Sequence, residues 1–286
     1  MSDLLRVENL RVGLQSGGRG LLHDISFALP RHACLGIVGE SGSGKSLTCR
    51  ALMGLLGAPF TQSGQAWLNG SDLLAQEPEA MRRLRGKTIG MILQHPMSAF
   101  DPLQTLGGQM VETFRTHLAL NRRDARELAL EMMELVRLRD VTRLFDKYPS
   151  QISGGMLQRV MIAIALALEP QLLIADEPTT ALDSVTQFDI MEEFRAIRER
   201  LGTTMIFISH DFGVVNRIAD RVLVMHQGCA VEQGDVRQVL HQPRHQHTRY
   251  LVASRQALQQ RYQTLVDMSQ NDRQRPRREV ESEHIG

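Results

Sequence analysis

A glycine-rich octet at residues 39–46 carries the residue types that phosphate chemistry requires. The sequence Gly39-Glu-Ser-Gly-Ser-Gly-Lys-Ser46 follows the pattern G-x-x-x-x-G-K-S. Glycines let the backbone turn consecutive N–H groups toward anionic oxygens, and a following helix adds the positive end of its dipole. Lys45 can reach the terminal phosphates of a nucleoside triphosphate, and the Ser46 hydroxyl suits Mg²⁺. The octet therefore predicts a triphosphate-binding loop.

Two acidic residues follow an apolar segment in the second half of the chain. Asp176 and Glu177 come directly after Leu172-Leu-Ile-Ala175, a pattern typical of a buried strand. A carboxylate at the carboxyl end of such a strand emerges at the sheet edge, where the phosphate loop of an α/β fold also lies. We therefore expect Asp176 to hold Mg²⁺, directly or through water. Glu177 is predicted to be the general base that polarises an attacking water.

Three further polar motifs complete the predicted chemistry. Gln94 and His210 each follow a predicted strand. The Gln94 amide can contact Mg²⁺ and the attacking water, and His210 can contact the γ-phosphate and orient Glu177. Ser153-Gly-Gly155 precedes a helix predicted to start near Met156, so its hydroxyl and amides form a second phosphate site. A helical insert separates the two phosphate sites, so we expect a head-to-tail dimer to clamp each nucleotide.

Alternating strands and helices must position these residues. Helices are predicted at 45–56, 78–84, 103–118 and 123–138. Predicted strands span 4–14, 21–29, 34–38, 65–69, 88–93, 172–175, 205–208 and 221–225. The short apolar strands between helices imply a mostly parallel, covered sheet. The fold class is therefore α/β, with an antiparallel β subdomain and a helical insert.

The predicted organisation has four parts. The core takes residues 1–94 and 160–240, and the helical subdomain takes 95–159. A C-terminal extension spans 241–265, and the polar tail at 266–286 is expected to be disordered because it is charged and contains Pro276.

The composition disfavours several classes of protein. Lys plus Arg is 33 and Asp plus Glu is 32, so no basic field favours nucleic acid. Cys34, Cys49 and Cys229 are far apart, which fits neither a disulfide framework nor a zinc spacing. Residues 1–30 show no secretory signal, and the longest apolar run, Val160–Leu168, is too short to span a bilayer. Any membrane spans must come from other chains.

In this order, the motifs resemble those of the ATP-binding subunits of ABC transporters, over residues from about 4 to 258. Gly39–Ser46 is similar to the Walker A motif and Leu172–Glu177 to Walker B. Gln94 resembles the Q-loop and His210 the H-loop, while Ser153–Gly155 resembles the signature and Ala181–Asp183 the D-loop.

This resemblance implies a phosphate-loop ABC ATPase domain with a RecA-like core that hydrolyses ATP with Mg²⁺. It implies catalytic roles for Glu177, His210 and Gln94, and Mg²⁺ contacts for Ser46, Gln94 and Asp176. The residues implied to bind ATP are Gly39, Glu40, Ser41, Gly42, Ser43, Gly44, Lys45, Ser46, Leu47, Ser153, Gly154, Gly155 and Asp183.

Two stretches resemble the peptide, nickel and opine importer branch. They are residues 94–102, QHPMSAFDP, and residues 242–251, QPRHQHTRYL. Residues 46–49 and 153–159 look most like the nickel-import ATP-binding subunit. The branch implies two integral-membrane permease subunits, a second ATP-binding subunit (or a homodimer), and a periplasmic solute-binding protein. It implies a peripheral location on the cytoplasmic face of the bacterial inner membrane, and no nucleic-acid partner.

Four features depart from the family pattern or invite another interpretation. Ile152 and Met156 stand in the signature where Leu and Gln are usual, and Leu14 stands where an aromatic commonly stacks on adenine. No cysteine cluster follows residue 242, so an iron–sulfur site is not expected. Histidines 241, 245 and 247 lie among arginines in an expected loop, so we do not interpret them as a nickel site.

The cargo and the class of machine stay open at this point. The importer hypothesis covers nickel or a metal–opine or metallophore complex, with dipeptides or oligopeptides as the alternative. A soluble ABC ATPase acting on nucleic acid is disfavoured by the single domain and the near-zero charge. An exporter ATPase is disfavoured by the peptide/nickel-type tail.

Overall fold

The computed structural model describes residues 3–254 except 17, 19 and 180–183. The predicted D-loop, including Asp183, and the tail at 266–286 lie outside the described residues. The strands are β1 (Asp3–Leu14), β2 (Gly20–Pro30), β3 (Cys34–Val38), β4 (Phe60–Leu68), β5 (Ser71–Asp72), β6 (Ile89–Ile92), β7 (Leu172–Asp176), β8 (Thr204–Ser209), β9 (Arg221–His226) and β10 (Cys229–Asp235). The helices are α1 (Lys45–Leu52), α2 (Pro78–Leu84), α3 (Leu106–Leu118), α4 (Arg122–Leu135), α5 (Val141–Phe145), α6 (Gly154–Ala167), α7 (Ser184–Leu201), α8 (Phe212–Ile218) and α9 (Val236–His241).

Within the described residues the strands form one sheet, in the order β5-β4-β1-β2-β10-β9-β3-β8-β7-β6. Strands β9, β3, β8, β7 and β6 pair in parallel, whereas β1, β2, β4 and β5 pair antiparallel. Strands β3, β7 and β8 are buried along their whole length, because helices cover both faces. The predicted α/β fold with an antiparallel part is therefore confirmed.

Helix α1 lies between the two parts of the curled sheet. Its buried residues Cys49, Ala51 and Leu52 share one apolar cluster with residues of β1 and β2 and with Leu35 and Ile37 of β3. The other face of the parallel strands packs against a second cluster, built largely from α3, α4, α6 and α8. Helix α1, which follows the phosphate loop, is therefore anchored by its buried apolar residues, while Arg50 is exposed.

In the helical segment between β6 and β7, side chains cap the N-termini of α3 and α4. The Thr105 side chain accepts a hydrogen bond from the Gly108 amide at the start of α3. Asn121 accepts from the amides of Arg123 and Asp124 at the start of α4. These side chains satisfy N–H groups that have no partner within the helix. Of the described helices, none is long and apolar enough to cross a membrane.

Helix α1 is shorter than the sequence pattern predicts. It ends at Leu52 and not near residue 56, because Gly54 adopts φ +60. The amides of Gly54 and Leu55 donate to the carbonyls of Ala51 and Arg50, which is the Schellman arrangement.

Four elements escaped prediction, namely β5, β10, α5 and α9. Strand β5 has only two residues, and helices α5 and α9 have five and six. Strand β10 has a polar sequence, CAVEQGD, without a clear alternation. It owes its form to pairing with β9, which a local pattern does not reveal.

The C-terminal segment, defined here as residues 243–254, folds back toward the core. Residues 246–254 are helical, so the predicted loop around His247 is wrong. The Glu232 carboxylate on β10 accepts hydrogen bonds from the amides of Arg244 and His245, at 2.9 and 3.0 Å. Thr248 is fully buried. These contacts fix the segment to the domain.

Candidate functional site

A cavity of about 810 Å³ opens at the carboxyl end of the parallel strands, around the glycine-rich loop. This is the position at which open α/β sheets bind ligands. Its lining residues are Leu21, Gly39, Glu40, Ser41, Gly42, Gly44, Lys45, Ser46, Leu47, Gln94, Glu177, His210 and Leu251.

The loop wraps around the Lys45 ammonium group. Lys45 Nζ donates to the carbonyl oxygens of Gly39 at 2.8 Å and Glu40 at 2.9 Å. Burial lowers the pKa of Lys45, while Glu177 and Asp176 act in the opposite direction. The ammonium therefore lies in the cavity wall, where phosphate oxygens can replace the loop carbonyls as its acceptors.

Two glycines are required by the geometry of the loop. Gly44 adopts φ +104, and a Cβ added there would lie 2.5 Å from Leu22 Cδ2. A Cβ at Gly39 would lie 2.2 Å from the backbone oxygen of Met225. Any side chain at either position would force the loop away from the sheet.

Ser46 lines the cavity, and the Asp176 carboxylate lies directly behind it, outside the lining. The Ser46 hydroxyl donates to Asp176 Oδ1 at 2.8 Å. Asp176 ends β7 and is only 4% exposed, and burial raises its pKa, although the Ser46 hydrogen bond opposes the rise. Hydroxyl and carboxylate oxygens are the ligands that Mg²⁺ prefers. The two side chains therefore fit a Mg²⁺ ion held beside the phosphates.

Three polar side chains of the site lie close to the Glu177 carboxylate. Gln94 Nε2 donates to Glu177 Oε2 at 3.0 Å, and His210 Nδ1 lies 3.6 Å from the same oxygen. Lys45 Nζ lies 3.8 Å from Glu177 Oε1. Glu177 also adopts φ +46, a conformation that costs a non-glycine residue about 1–2 kcal/mol. Backbone strain of this kind gathers at functional sites, because the surroundings must enforce it.

Most of the predicted site residues are brought together, and a few are not. Ser43 is buried and does not line the cavity, and its hydroxyl has no hydrogen-bond partner among the residues that the structure describes. Ser153 caps α6, where its Oγ accepts from the Met156 amide at 3.3 Å. Neither Ser153 nor the following glycines, 154 and 155, line the cavity, which agrees with a second site apart from the loop.

Leu14, which stands where the family pattern commonly has an aromatic residue, does not line the cavity, and its strand β1 lies one strand farther from the parallel core than β2. Two apolar lining residues, Leu21 of β2 and Leu251 of the C-terminal segment, were missed by the sequence patterns. Nothing in the local sequence marks either residue, since both reach the cavity only through the tertiary fold.

Comparison with known proteins agrees with this geometry. A family model described as ABC transporter matches residues 22–180. The metal-staphylopine import system ATP-binding protein CntD of Staphylococcus aureus (strain NCTC 8325 / PS 47) is 42% identical over 263 residues, covering 92% of this chain and 97% of that protein. The glutathione import ATP-binding protein GsiA of Escherichia coli (strain K12) is 43% identical over 261 residues, covering 88% of this chain but only 42% of that protein.

Among solved structures, a dimeric post-hydrolysis state of the ATP-binding cassette MJ0796, bound to ADP and Pi, has a TM-score of 0.73. It is 25% identical in sequence, and the match covers 81% of this chain and 98% of that one. Since the family model covers more than half of the chain, and CntD matches almost end to end, the chain belongs to the ABC transporter family of ATP-binding proteins.

Proposed function

We propose that this chain is the ATP-hydrolysing subunit of an importer for nickel or for a metal–opine or metallophore complex. The observation that carries the proposal is the 42% identity to a metal-staphylopine import ATPase, which extends over 97% of that protein. The residues around the cavity supply the matching chemistry.

The loop residues from Gly39 to Leu47 bind the triphosphate of ATP. Gly39, Gly42 and Gly44 allow close approach of the backbone, and Glu40, Ser41, Ser43 and Leu47 contribute their amides. Lys45 exchanges its two carbonyl acceptors for phosphate oxygens. Ser46, Asp176 and Gln94 would hold Mg²⁺, which would neutralise phosphate charge.

Glu177 acts as the general base in hydrolysis. A water molecule held by Glu177 and Gln94 attacks the γ-phosphorus, and its proton passes to the Glu177 carboxylate. The bond to the oxygen between the β- and γ-phosphates breaks, leaving ADP and phosphate. His210 acts on the same carboxylate, because its Nδ1 lies 3.6 Å from Glu177 Oε2. It thus orients the base and contacts the γ-phosphate.

A second subunit completes each ATP site. Ser153, Gly154 and Gly155 at the start of α6 face the nucleotide of the partner, with Asp183 at the same interface. Three observations support this arrangement: the absence of the signature from the cavity lining, the capped helix start, and the dimeric state of the similar cassette. The partner is a second ATP-binding subunit, or another copy of this chain.

The remaining components follow from the importer assignment. Two integral-membrane permeases and a periplasmic solute-binding protein complete the system, with this chain on the cytoplasmic face of the inner membrane and no nucleic acid bound. Residues 1–94 and 160–240 form the ATPase core, and residues 95–159 the helical subdomain. Residues 241–265 are the C-terminal extension of the importer branch.

Import of a peptide is the second candidate function. GsiA, a glutathione importer ATPase by name, is 43% identical to this chain. That identity is one percentage point above the 42% identity to the metal importer, although the chain spans less than half of GsiA.

Solute uptake in a deletion strain separates the two candidates. The strain is complemented with the wild-type chain or with Glu177→Gln, and uptake of radiolabelled nickel, with and without an opine-type chelator, is compared with that of a labelled dipeptide. We expect loss of nickel uptake, restored only by the wild-type chain. Loss of dipeptide uptake alone would favour the peptide importer, and no uptake defect would overturn both.

A further inference from the structure

Three side chains from distant parts of the sequence converge beside the nucleotide cavity. One ligand atom from each of Glu40, His226 and His247 lies within 4.8 Å of the other two. Glu40 belongs to the glycine-rich loop, His226 ends β9, and His247 lies in the C-terminal segment. The proposed hydrolysis uses neither imidazole.

The backbone next to each histidine is fixed by hydrogen bonds. The turn after His226 is fixed to the loop, because the Gly228 amide donates to the Ser43 carbonyl at 3.0 Å. The His247 amide donates to His245 Nδ1 at 3.2 Å, and the segment just before it is tied to Glu232. The two rings stack with centroids 3.8 Å apart and planes at 29°. The two imidazoles are therefore adjacent, but a metal ion lies in the plane of each imidazole that binds it, so one ring must turn out of the stack for both nitrogens to face a single ion.

One nitrogen of His247 is unused by the fold. Its Nε2 is buried and has no hydrogen-bond partner within the described residues. An imidazole nitrogen that accepts no hydrogen bond is available as a metal ligand.

We propose that Glu40, His226 and His247 bind a divalent transition-metal ion of the zinc or nickel type. Two imidazole nitrogens and one carboxylate oxygen suit these ions, whereas Mg²⁺ prefers oxygen ligands throughout. Metal–ligand bonds of about 2.0–2.2 Å place ligand atoms roughly 3.2–3.6 Å apart. The exposed Glu40 side chain can rotate to close this spacing. The site is distinct from the proposed Mg²⁺ position at Ser46 and Asp176.

The ion would couple the C-terminal segment to nucleotide binding. Glu40 lines the nucleotide cavity, and its carbonyl accepts from Lys45. Leu251 also lines the cavity and lies four residues after His247, on the same helical face. The bound ion holds Leu251 at the cavity wall and offsets the negative charge of Glu40 beside the triphosphate. Both effects tighten ATP binding, and ATP must tighten metal binding by the same factor.

Metal titration of the untagged full-length chain tests the site. The protein is freed of metal by chelation, and Zn²⁺ or Ni²⁺ is added in excess Mg²⁺ while calorimetry follows binding. We expect one ion per chain, with affinity reduced at least tenfold in His226→Ala and in His247→Phe. The phenylalanine keeps an aromatic ring in the stack but removes the nitrogen ligand. His241→Ala, which removes an exposed histidine outside the cluster, serves as the matched control and should bind metal like the wild type.

Several outcomes would overturn the site. Absence of binding to the wild type, unchanged affinity in His247→Phe, or a loss of affinity confined to His241→Ala would each do so. Thermal unfolding of each metal-free variant shows whether the fold is intact. X-ray absorption of the metal-loaded protein should show imidazole nitrogen in the first coordination sphere, and spectra with oxygen ligands alone contradict the proposal.

A nucleotide titration tests the coupling. ATP affinity is measured in excess Mg²⁺, with Zn²⁺ or with chelator, in the wild type and in His247→Phe. We expect Zn²⁺ to tighten ATP binding several-fold in the wild type only. An equal shift in His247→Phe, or no shift in a metal-loaded wild type, would refute the coupling. Because this site is read out by binding, its failure leaves the uptake test of the proposed importer untouched.

Discussion

Replacing Glu177 by glutamine should separate ATP binding from ATP hydrolysis. The Gln94 amide donates to Glu177 Oε2 at 3.0 Å, and a glutamine side-chain oxygen can accept the same hydrogen bond. The cavity is therefore expected to keep its shape. The change removes the negative charge that lies 3.8 Å from Lys45 Nζ and 3.6 Å from His210 Nδ1. It also removes the group that takes the proton from water.

The size of the effect follows from the role of the base. A positioned general base contributes about 100- to 10,000-fold to the rate, equivalent to about 2.7–5.4 kcal/mol in the barrier. We expect kcat for ATP hydrolysis to fall within that range. ATP affinity should be unchanged or higher, because a negative charge beside the γ-phosphate is removed. The closed dimer should then accumulate in the presence of ATP.

Glu169→Gln supplies a control with the same chemical change at a similar backbone conformation. Glu169 adopts φ +44, is exposed, and does not line the cavity. Single-turnover hydrolysis, ATP affinity by fluorescence and dimer formation by size-exclusion chromatography are measured for both variants. A fall of less than threefold in Glu177→Gln would remove Glu177 as the base. Loss of ATP binding would show that the carboxylate shapes the cavity.

Three further substitutions test other parts of the site and fold. Lys45→Ala removes a charged donor to phosphate, which is worth about 1.5–3 kcal/mol, so ATP affinity measured by calorimetry should fall roughly 10- to 100-fold; unchanged affinity contradicts the loop assignment. Asp176→Asn should abolish Mg²⁺-dependent hydrolysis yet stabilise the nucleotide-free fold at neutral pH. The raised pKa of Asp176 means that its stabilising contribution is present below the unfolded pKa, near 3.8, and is lost as pH rises through the folded value. The stability gain of Asp176→Asn over the wild type, measured by thermal unfolding, should therefore shrink as the pH is lowered. A gain that grows as the pH is lowered would contradict the raised pKa of Asp176. Gly36→Ala places a Cβ 2.1 Å from Val215 Cγ1, so chemical denaturation should show a loss of about 1–3 kcal/mol, and a neutral effect would mean that α8 shifts freely.

Local sequence patterns predicted the parts of the fold and site that are built from contiguous residues. The strand Cys34–Val38 and helix α2 have the bounds that the sequence predicts, because apolar runs and a proline at the first helical position are local signals. The glycine-rich loop is equally local, because its spacing alone arranges the backbone around Lys45. Gln94 and Glu177 follow the neighbouring strands β6 and β7, and the pairing of these strands brings the two side chains together.

The parts that escaped prediction depend on chain folding over long distances. Leu21 and Leu251 line the same cavity, although they are 230 positions apart in the sequence. His247 joins His226 and Glu40, whereas the sequence invited a grouping with its neighbours 241 and 245. No spacing rule relates such residues, because β10 and the C-terminal segment set their positions.

The packing of α1 against β1, β2 and β3 affects how amide hydrogen exchange in this helix responds to ATP binding. Cys49, Ala51 and Leu52 of α1 are almost fully buried in one apolar cluster, so we expect their amides to exchange mainly when the domain opens as a whole. Hydrogen exchange in α1 should thus measure the global free energy of unfolding, while the loop before it exchanges by local opening. ATP bound at the start of α1 stabilises the folded state by mass action, by about 2.7 kcal/mol at a concentration one hundred times its Kd. That stabilisation should slow amide hydrogen exchange at the buried residues of α1. The exchange rate of this helix should therefore measure the fraction of the protein that has ATP bound.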